Sequence, residues 1–153
     1  MLEATQKIPS FNLLNQEGHP RSERDYAGQW LVLYVYPKDD TPGCTIQGTS
    51  FSATKAEFEA AQIRVVGLSA DDVASHQSFC NKHNLTIELL ADPKAALLTA
   101  LGVGQSEWKG SKFWDRTTFV FDPQGVARKV YPKVTPQGHE RVLLGDIKAL
   151  QRG

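Results

Sequence analysis

Two runs of hydrophobic residues stand out along the chain, and each predicts a strand. The first run is Trp30-Leu-Val-Leu-Tyr-Val-Tyr36, and the second is Ile63-Arg-Val-Val-Gly-Leu68. Both runs are nearly continuous rather than alternating, which is typical of strands buried on both faces of a sheet. Residues 87–90 form a shorter apolar run and predict a third strand.

The segments that follow the first two strands predict helices. We expect the first helix over residues 44–61 and the second over residues 69–84. Either Ser69 or Asp71 can provide the side-chain oxygen that caps the start of the second helix.

The rest of the chain predicts one more helix, a hairpin and a closing helix. Asp92-Pro93 is expected to open a helix that runs to about Leu101, because proline is favoured at the first helical position. Residues 117–121 and 126–131 predict two strands, since the sequence Asp-Pro-Gln-Gly between them is typical of a tight turn. Residues 139–151 predict the closing helix.

This order of elements predicts the fold class. Residues 11–14 and the turn sequence over residues 15–18 add an N-terminal hairpin to the pattern. Alternating strands and helices followed by a hairpin and a helix predict an α/β fold, with a mixed central sheet flanked by helices on both faces. That arrangement is of the thioredoxin-like kind.

Length and composition predict one globular domain over residues 1–153. The chain is 41% hydrophobic and 22% charged, and its 17 basic and 17 acidic residues cancel. With no net charge to attract them, we expect neither nucleic acid nor an anionic membrane as a partner. The first residues contain no apolar signal region and no long apolar run follows, so we expect a cytoplasmic protein without a membrane span.

Cys44 is the residue with the clearest chemical potential. It follows the first strand and a turn containing Pro37, Pro42 and Gly43, at the position where the first helix begins. A thiol at a helix N-terminus faces unpaired backbone N–H groups and the positive end of the helix dipole. Both favour the thiolate, which is the nucleophilic form of cysteine.

The segment around Cys44 resembles the active site of a known family. The pattern Tyr36-Pro-Lys-Asp, followed by Thr41-Pro-Gly-Cys-Thr45, is similar to the PrxQ, or bacterioferritin-comigratory, branch of the peroxiredoxins. The run Arg116-Thr-Thr-Phe-Val-Phe-Asp122 resembles the strand whose leading arginine completes that family's site. The resemblance covers essentially the whole chain.

The resemblance implies a thiol peroxidase in which Cys44 attacks hydrogen peroxide or organic hydroperoxides and becomes a sulfenic acid. Ionisation of the thiol gains only about tenfold in rate, so the peroxide must also be oriented and its leaving oxygen stabilised. Thr41 can offer a hydroxyl, Arg116 a guanidinium, and the backbone near Gly43 N–H donors. Pro37 is expected to shape the pocket and shield the thiolate.

The resemblance further implies that no flavin, haem or metal is needed, that a thioredoxin-like protein supplies electrons, and that the protein is a monomer. Trp108 and Trp114 lie before Arg116 in the sequence. They either line the pocket or pack in the core.

The chain departs from its relatives at two positions near Cys44. Many members of the branch carry a second cysteine five residues after the nucleophile, where this chain has Thr49, and Gln47 stands where the family often has glutamate. The other cysteine, Cys80, lies 36 positions beyond Cys44 in the second predicted helix. Some relatives resemble this arrangement, and our hypothesis is that Cys80 forms an intramolecular disulfide with Cys44.

Such a disulfide requires Cα atoms within about 7 Å of each other. If the reduced fold holds them farther apart, part of a helix must unwind. Thr45, Gly48 and Thr49 are weak helix formers, and Thr54-x-x-Glu57 resembles a capping box that would start a stronger helix after Ser52. The first turns could therefore melt and re-form in each cycle.

The same residues also allow three alternatives. Cys80 can be a core residue of a one-cysteine peroxidase whose sulfenic acid is resolved by an external thiol. The protein can be a peroxide sensor that passes its oxidation to a partner. Finally, His76, Cys80 and His83 share one helical face and could supply three ligands of a zinc site, although no fourth ligand is evident.

Overall fold

The computed structural model describes all 153 residues. Its elements in chain order are β1 Asn12–Asn15, β2 Pro20–Ser22, a 3₁₀ helix Glu23–Tyr26, β3 Trp30–Val35, α1 Pro42–Ala60, β4 Ile63–Ser69, α2 Val73–His83, β5 Glu88–Ala91, α3 Ala96–Leu101, β6 Gln105–Trp108, β7 Ser111–Trp114, β8 Thr117–Phe121, β9 Ala127–Tyr131 and α4 His139–Arg152. None of the helices is long and apolar enough to cross a membrane.

Seven of the strands form one mixed sheet in the order β2-β1-β5-β4-β3-β8-β9. The central strands β3, β4 and β5 are parallel, whereas β1, β2, β8 and β9 are joined to the sheet antiparallel. This architecture confirms the predicted mixed sheet with helices on both of its faces.

Side chains of β3 alternate between two separate cores, as the two-residue period of a strand requires. Val32 and Tyr34 point into a core shared with α1, α2 and α4, and that core also contains Cys44 and Cys80. Leu31 and Leu33 point into the opposite core, which α3 and the N-terminal segment cover. The candidate chemistry therefore lies on the face that three helices cover.

The predicted boundaries of two helices need correction. The second helix begins at Val73 rather than near residue 69, because the Asp72 carboxylate, and not Ser69 or Asp71, accepts the capping hydrogen bond from the Ser75 N–H. The third begins at Ala96 rather than at Asp92-Pro93.

The late start of the third helix follows from the backbone of Ala95, which has a φ of 55° and cannot continue a right-handed helix. Asp92 accepts hydrogen bonds from the N–H groups of Ala96 and Leu98. It therefore satisfies donors of the helix start from outside the helix.

The N-terminal hairpin is present but lies one residue later than predicted. β1 pairs with β2 from Asn12 opposite Ser22 to Leu14 opposite Pro20. The turn consequently spans residues 16–19 rather than 15–18.

A second hairpin, β6–β7, was not predicted. Lys109 and Gly110 both have positive φ values, as the central residues of a type I′ turn require. Trp108 at its end is 65% exposed, with the Lys109 ammonium over its ring, so this tryptophan does not belong to the core. Trp114 packs against the core on the α3 face.

Glu88 joins the edge strands to the centre of the sheet. Its carboxylate accepts hydrogen bonds from Asn15, Arg21, Tyr26 and Arg64. Burial alone would raise the pKa of Glu88, but the hydrogen bonds from Asn15 and Tyr26 and the charge of Arg64 outweigh burial and lower it. The ionised form is therefore the one that stabilises the fold.

We expect Glu88→Gln to lower the free energy of unfolding by about 2 kcal/mol at pH 7, because charge-assisted hydrogen bonds are lost. A carboxylate with a lowered pKa stabilises the fold above its unfolded-state pKa and loses that effect as the pH falls through its folded-state pKa. The difference between variant and wild type should therefore shrink in acid. Urea unfolding at pH 7 and below pH 4 measures it, and an equal difference at both pH values would contradict the assignment.

Candidate active site

Cys44 is the third residue of α1, the helix that follows β3 in the chain. Thr41 is the N-cap, Pro42 is the first helical residue, and the first helical hydrogen bond runs from the Thr45 N–H to the Thr41 carbonyl at 2.8 Å. The N–H groups of Gly43 and Cys44 precede that bond and have no carbonyl one turn earlier in the helix. Its position at the start of α1 puts Cys44 at the positive end of the helix dipole. Because Cys44 is also buried, its sulfur lies in a largely dry environment.

Arg116 is the side chain that meets the sulfur. Its Nη1 donates to Cys44 Sγ at 3.5 Å. The residue precedes β8, and β8 pairs with β3 so that Thr117 lies opposite Val35. This register places Arg116 next to the turn that leads to Cys44, although 72 positions separate the two residues.

Gly43 leaves room for the guanidinium. A Cβ atom added at this position would lie 2.7 Å from Arg116 Nη2 and 3.3 Å from Cγ of Pro136. Any larger residue would therefore push Arg116 away from the sulfur. The structure gives Gly43 a steric role in the site, in addition to the N–H donor predicted from sequence.

Gln47 binds the same nitrogen of Arg116 that contacts the sulfur, and it was noted from sequence only as a departure from the family. Its Oε1 accepts from Arg116 Nη1 at 2.7 Å, and its Nε2 is buried without a hydrogen-bond partner. Its spacing could have pointed to a place in the site, because a residue three positions after Cys44 lies on the same face of a helix. Gln47 fixes Arg116 without neutralising its charge.

The Thr41 hydroxyl does not donate its proton to the Cys44 sulfur. Its Oγ1 donates to the Lys38 carbonyl at 2.8 Å, which leaves the oxygen lone pairs available. Pro37 is half-buried in the same turn. The predicted roles of Thr41 and Pro37 toward a peroxide stay predictions.

Cys80 lies near the end of α2 and belongs to the same core cluster as Cys44. Both cysteines are free and buried in this structure. Burial, with a smaller contribution from the charge of Asp39, raises the pKa of the Cys80 thiol to about 11. In this arrangement Cys80 is therefore protonated at neutral pH and is a poor nucleophile.

α1 is one continuous helix from Pro42, so the predicted capping box at Thr54 does not start it. Thr54 Oγ1 instead donates back to the Ser50 carbonyl at 2.8 Å. Gly48, read from sequence as a weak helix former, has a packing reason as well. A Cβ atom there would lie 2.9 Å from the Leu85 side chain.

The zinc hypothesis is not supported, because the two histidines point to other partners. Nδ1 and Nε2 of His76 lie 2.6 Å from Asp39 Oδ2 and 2.9 Å from the Leu90 carbonyl. Nε2 of His83 lies 2.7 Å from Asp40 Oδ1. The side chains close enough to share a metal ion around His76 are Asp39 and Asp71, and Cys80 is not among them.

Comparison with known proteins places the chain in a family. Residues 4–130 match the AhpC/TSA family. The chain is 39% identical over 149 residues to a putative peroxiredoxin Bcp of Coxiella burnetii, covering 95% of this chain and 99% of that one. It is 33% identical over 150 residues to peroxiredoxin Bcp of Bacillus subtilis, covering 96% of each chain.

Solved structures agree with this placement. A cysteine mutant of PrxQ from Xylella fastidiosa superimposes with a TM-score of 0.94 at 30% identity, covering 99% of this chain and 98% of that one. The bacterioferritin comigratory protein of Xanthomonas campestris, studied for its alkyl peroxide reduction, superimposes with a TM-score of 0.88 at 33% identity, covering 96% and 98%. The chain therefore belongs to the AhpC/TSA family, in its PrxQ/Bcp branch of thiol-dependent peroxidases that use thioredoxin-type reductants.

Proposed function

We propose that Cys44 is the peroxidatic cysteine of this enzyme and that Cys80 resolves its sulfenic acid. The observation that carries the proposal is the 3.5 Å contact between Arg116 Nη1 and Cys44 Sγ at the start of α1. A permanent cation beside a thiol that also faces helix N–H groups favours the thiolate. The same cation can attract the oxygen that leaves from a peroxide.

In the first step the Cys44 thiolate attacks one oxygen of ROOH. The S–O bond forms and the O–O bond breaks, so that sulfur is oxidised to Cys–SOH while the leaving RO⁻ takes a proton and departs as ROH. Negative charge moves from sulfur to the leaving oxygen. Arg116 and the N–H groups near Gly43 surround this path, and we assign them to binding and stabilising that charge, with Pro37 shielding the site.

In the second step Cys80 attacks the sulfenic sulfur. The S–S bond forms, the S–OH bond breaks, and the hydroxyl leaves with the thiol proton as water. Cys80 is buried and protonated in the present arrangement, so we infer that the segments that carry the two cysteines move relative to each other before it reacts. The same movement would expose Cys80 to water and remove the burial that raises its pKa.

A thioredoxin-like protein would then reduce the disulfide. Hydrogen peroxide and organic hydroperoxides are the proposed substrates, and alkyl peroxide reduction by the X. campestris relative supports the organic ones. We further propose that the enzyme is a cytoplasmic monomer that works without nucleic acid, membrane or cofactor. Reduction of the disulfide by thioredoxin, followed through NADPH oxidation by thioredoxin reductase, tests the electron source.

Two alternatives differ in the fate of the sulfenic acid. A one-cysteine peroxidase would leave Cys80 unchanged and use an external thiol, and a sensor would pass its oxidation to a partner protein. The core position of Cys80 among apolar side chains is compatible with the first alternative. Multiple turnover with thioredoxin alone would exclude the sensor.

The first prediction for this mechanism concerns the two cysteines. One equivalent of hydrogen peroxide should remove two hydrogens from the wild-type mass and both titratable thiols, without forming a dimer. Cys80→Ser should stop at a sulfenic acid and lose most of its thioredoxin-dependent turnover, whereas Cys44→Ser should not react. Intact mass after thiol alkylation measures all three, and native turnover by Cys80→Ser would overturn the resolving role.

The second prediction concerns the charge next to Arg116. Gln47→Glu installs the residue that the family often carries and places a carboxylate on the guanidinium. In this chain, whose site is built around a neutral partner of Arg116, we expect it to slow the reaction of Cys44 with peroxide about tenfold, equivalent to about 1.4 kcal/mol. Stopped-flow measurement of the second-order rate constant tests this. An unchanged or faster reaction would mean that the net charge of Arg116 does not matter in the first step.

The third prediction concerns the Thr41 hydroxyl. Thr41→Val should lower the rate of the peroxide reaction at least about tenfold, because an oriented polar group is lost. Thr41→Ser, which keeps the hydroxyl, should retain most of the rate. Equal losses in both variants would assign Thr41 to packing of the turn instead.

A further inference from the structure

Two consecutive aspartates in the loop between β3 and α1 bind α2 on either side of Cys80. Asp39 contacts His76, four residues before Cys80, and Asp40 contacts Lys82 and His83 just after it. Asp39 lies five residues before Cys44 in the chain. The loop that leads to the proposed peroxidatic cysteine is thus fastened to the helix that carries the proposed resolving cysteine.

The Asp39 side chain is buried, and both of its carboxylate oxygens have hydrogen-bond partners. Its Oδ1 accepts from the Tyr36 hydroxyl at 2.6 Å, and its Oδ2 lies 2.8 Å from the Ser75 hydroxyl and 2.6 Å from His76 Nδ1. The backbone N–H of Asp39 donates to Asp71 at 2.8 Å. Side-chain exposure is 3% for Asp39 and 0% for His76, so water does not weaken this network.

Both ring nitrogens of His76 have partners from other elements. Nε2 lies 2.9 Å from the Leu90 carbonyl, and Nδ1 lies 2.6 Å from Asp39 Oδ2. Through this one ring α2 is therefore tied to β5 as well as to the loop before α1.

We propose that the Asp39–His76 pair is a positioning clamp that holds α2 against the loop before Cys44 in the dithiol enzyme and thereby limits the rate of disulfide formation. The inference rests on the proposed roles of Cys44 and Cys80. The hydrogen bond to the Cys44 sulfur comes from Arg116 and not from either aspartate, so we expect the clamp to act on the second step and not on the reaction with peroxide.

The reason is the movement that the disulfide requires. Cys44 and Cys80 are both free and buried, and they belong to one core cluster. An S–S bond of about 2 Å has to replace this unbonded packing, so we infer that the loop before Cys44 and α2 approach each other when the bond forms. A network that fixes the loop relative to α2 opposes that approach. It favours the dithiol form, so that its loss should make the disulfide form faster and resist reduction more strongly.

Asp40 provides a matched control, because it has the same partner helix but is far more exposed than Asp39. Its side chain is 43% exposed, and its partners Lys82 and His83 are 63% and 24% exposed. Exposed ion pairs contribute little. Asp40 has a φ of 60°, a conformation that asparagine accepts readily. Asp39→Asn and Asp40→Asn are thus the same substitution at adjacent positions, one buried and one exposed.

Rapid-quench alkylation after one equivalent of hydrogen peroxide separates the two steps in each variant. For Asp39→Asn we expect disulfide formation to be about tenfold faster than in the wild type, with the peroxide reaction changed less than threefold. Asp40→Asn should match the wild type in both steps. Ser75→Ala, which removes one bond to Asp39 without changing a charge, should accelerate the disulfide step in the same direction by a smaller factor and covers the case in which Asp39→Asn does not fold.

The reduction potential of the disulfide supplies a second readout that a general loss of stability would not explain. A tenfold shift of the dithiol–disulfide equilibrium corresponds to about 30 mV. In a glutathione redox titration, the reduction potential of Asp39→Asn should be more negative than that of the wild type by this amount. Unchanged or slower disulfide formation in folded Asp39→Asn or Ser75→Ala would overturn the clamp. Failure of the wild type to form the disulfide would instead overturn the proposed role of Cys80.

Discussion

The antiparallel pairing of β3 with β8 is the interaction on which the site depends. Cys44 and Arg116 come from distant parts of the chain, and only the register that places Val35 opposite Thr117 brings them together. A shift by one residue would turn Arg116 toward the other face of the sheet and into the wrong core. All side chains of β8 and all of β3 except Trp30 are buried. They resist such a shift, because each would have to move from one core to the other.

Once that register is set, space and charge around Arg116 decide what the cation can do. Gly43 leaves the room that the guanidinium occupies, and Gln47 fixes it through a neutral oxygen. A carboxylate in the place of Gln47 would bind Arg116 more strongly, yet it would cancel the charge that faces the sulfur. The unpartnered Nε2 of Gln47 is the cost of this arrangement, since a buried donor without a partner is unfavourable.

The strands and the position of Cys44 could be predicted from sequence because they depend on local patterns. Continuous apolar runs identify β3 and β4, and the turn with two prolines and a glycine identifies the start of α1. The β6–β7 hairpin was missed because its strands are short and exposed, so that only the Lys109-Gly110 turn signals it. The start of α3 was misplaced because a left-handed residue at Ala95 has no sequence signature.

Contacts between distant segments could not be predicted from the sequence, for a different reason. Gln47 was visible only as a departure from a pattern, and nothing in its neighbourhood indicated that Arg116 would reach it. His76 was grouped with Cys80 and His83 because the three share a helical face, but the acceptors that occupy its ring come from the loop at Asp39 and from β5 at Leu90. Helical spacing gives the direction of a side chain, whereas its partner depends on the packing of other elements.

The two chemical steps place opposite demands on the segments around Cys44. The first step needs the sulfur, Arg116 and the start of α1 held in one geometry, whereas the second needs the two cysteines to approach. The first turns of α1 are suited to movement. Thr49 is exposed, so it contributes little to packing, and its hydroxyl donates to the Thr45 carbonyl within the same helix. They are nevertheless held by the close contact of Gly48 with Leu85. Flexibility in α1 alone would leave the timing of disulfide formation to helix fraying, whereas a buried pair between the loop and α2 makes the dithiol geometry persist until the peroxide has reacted.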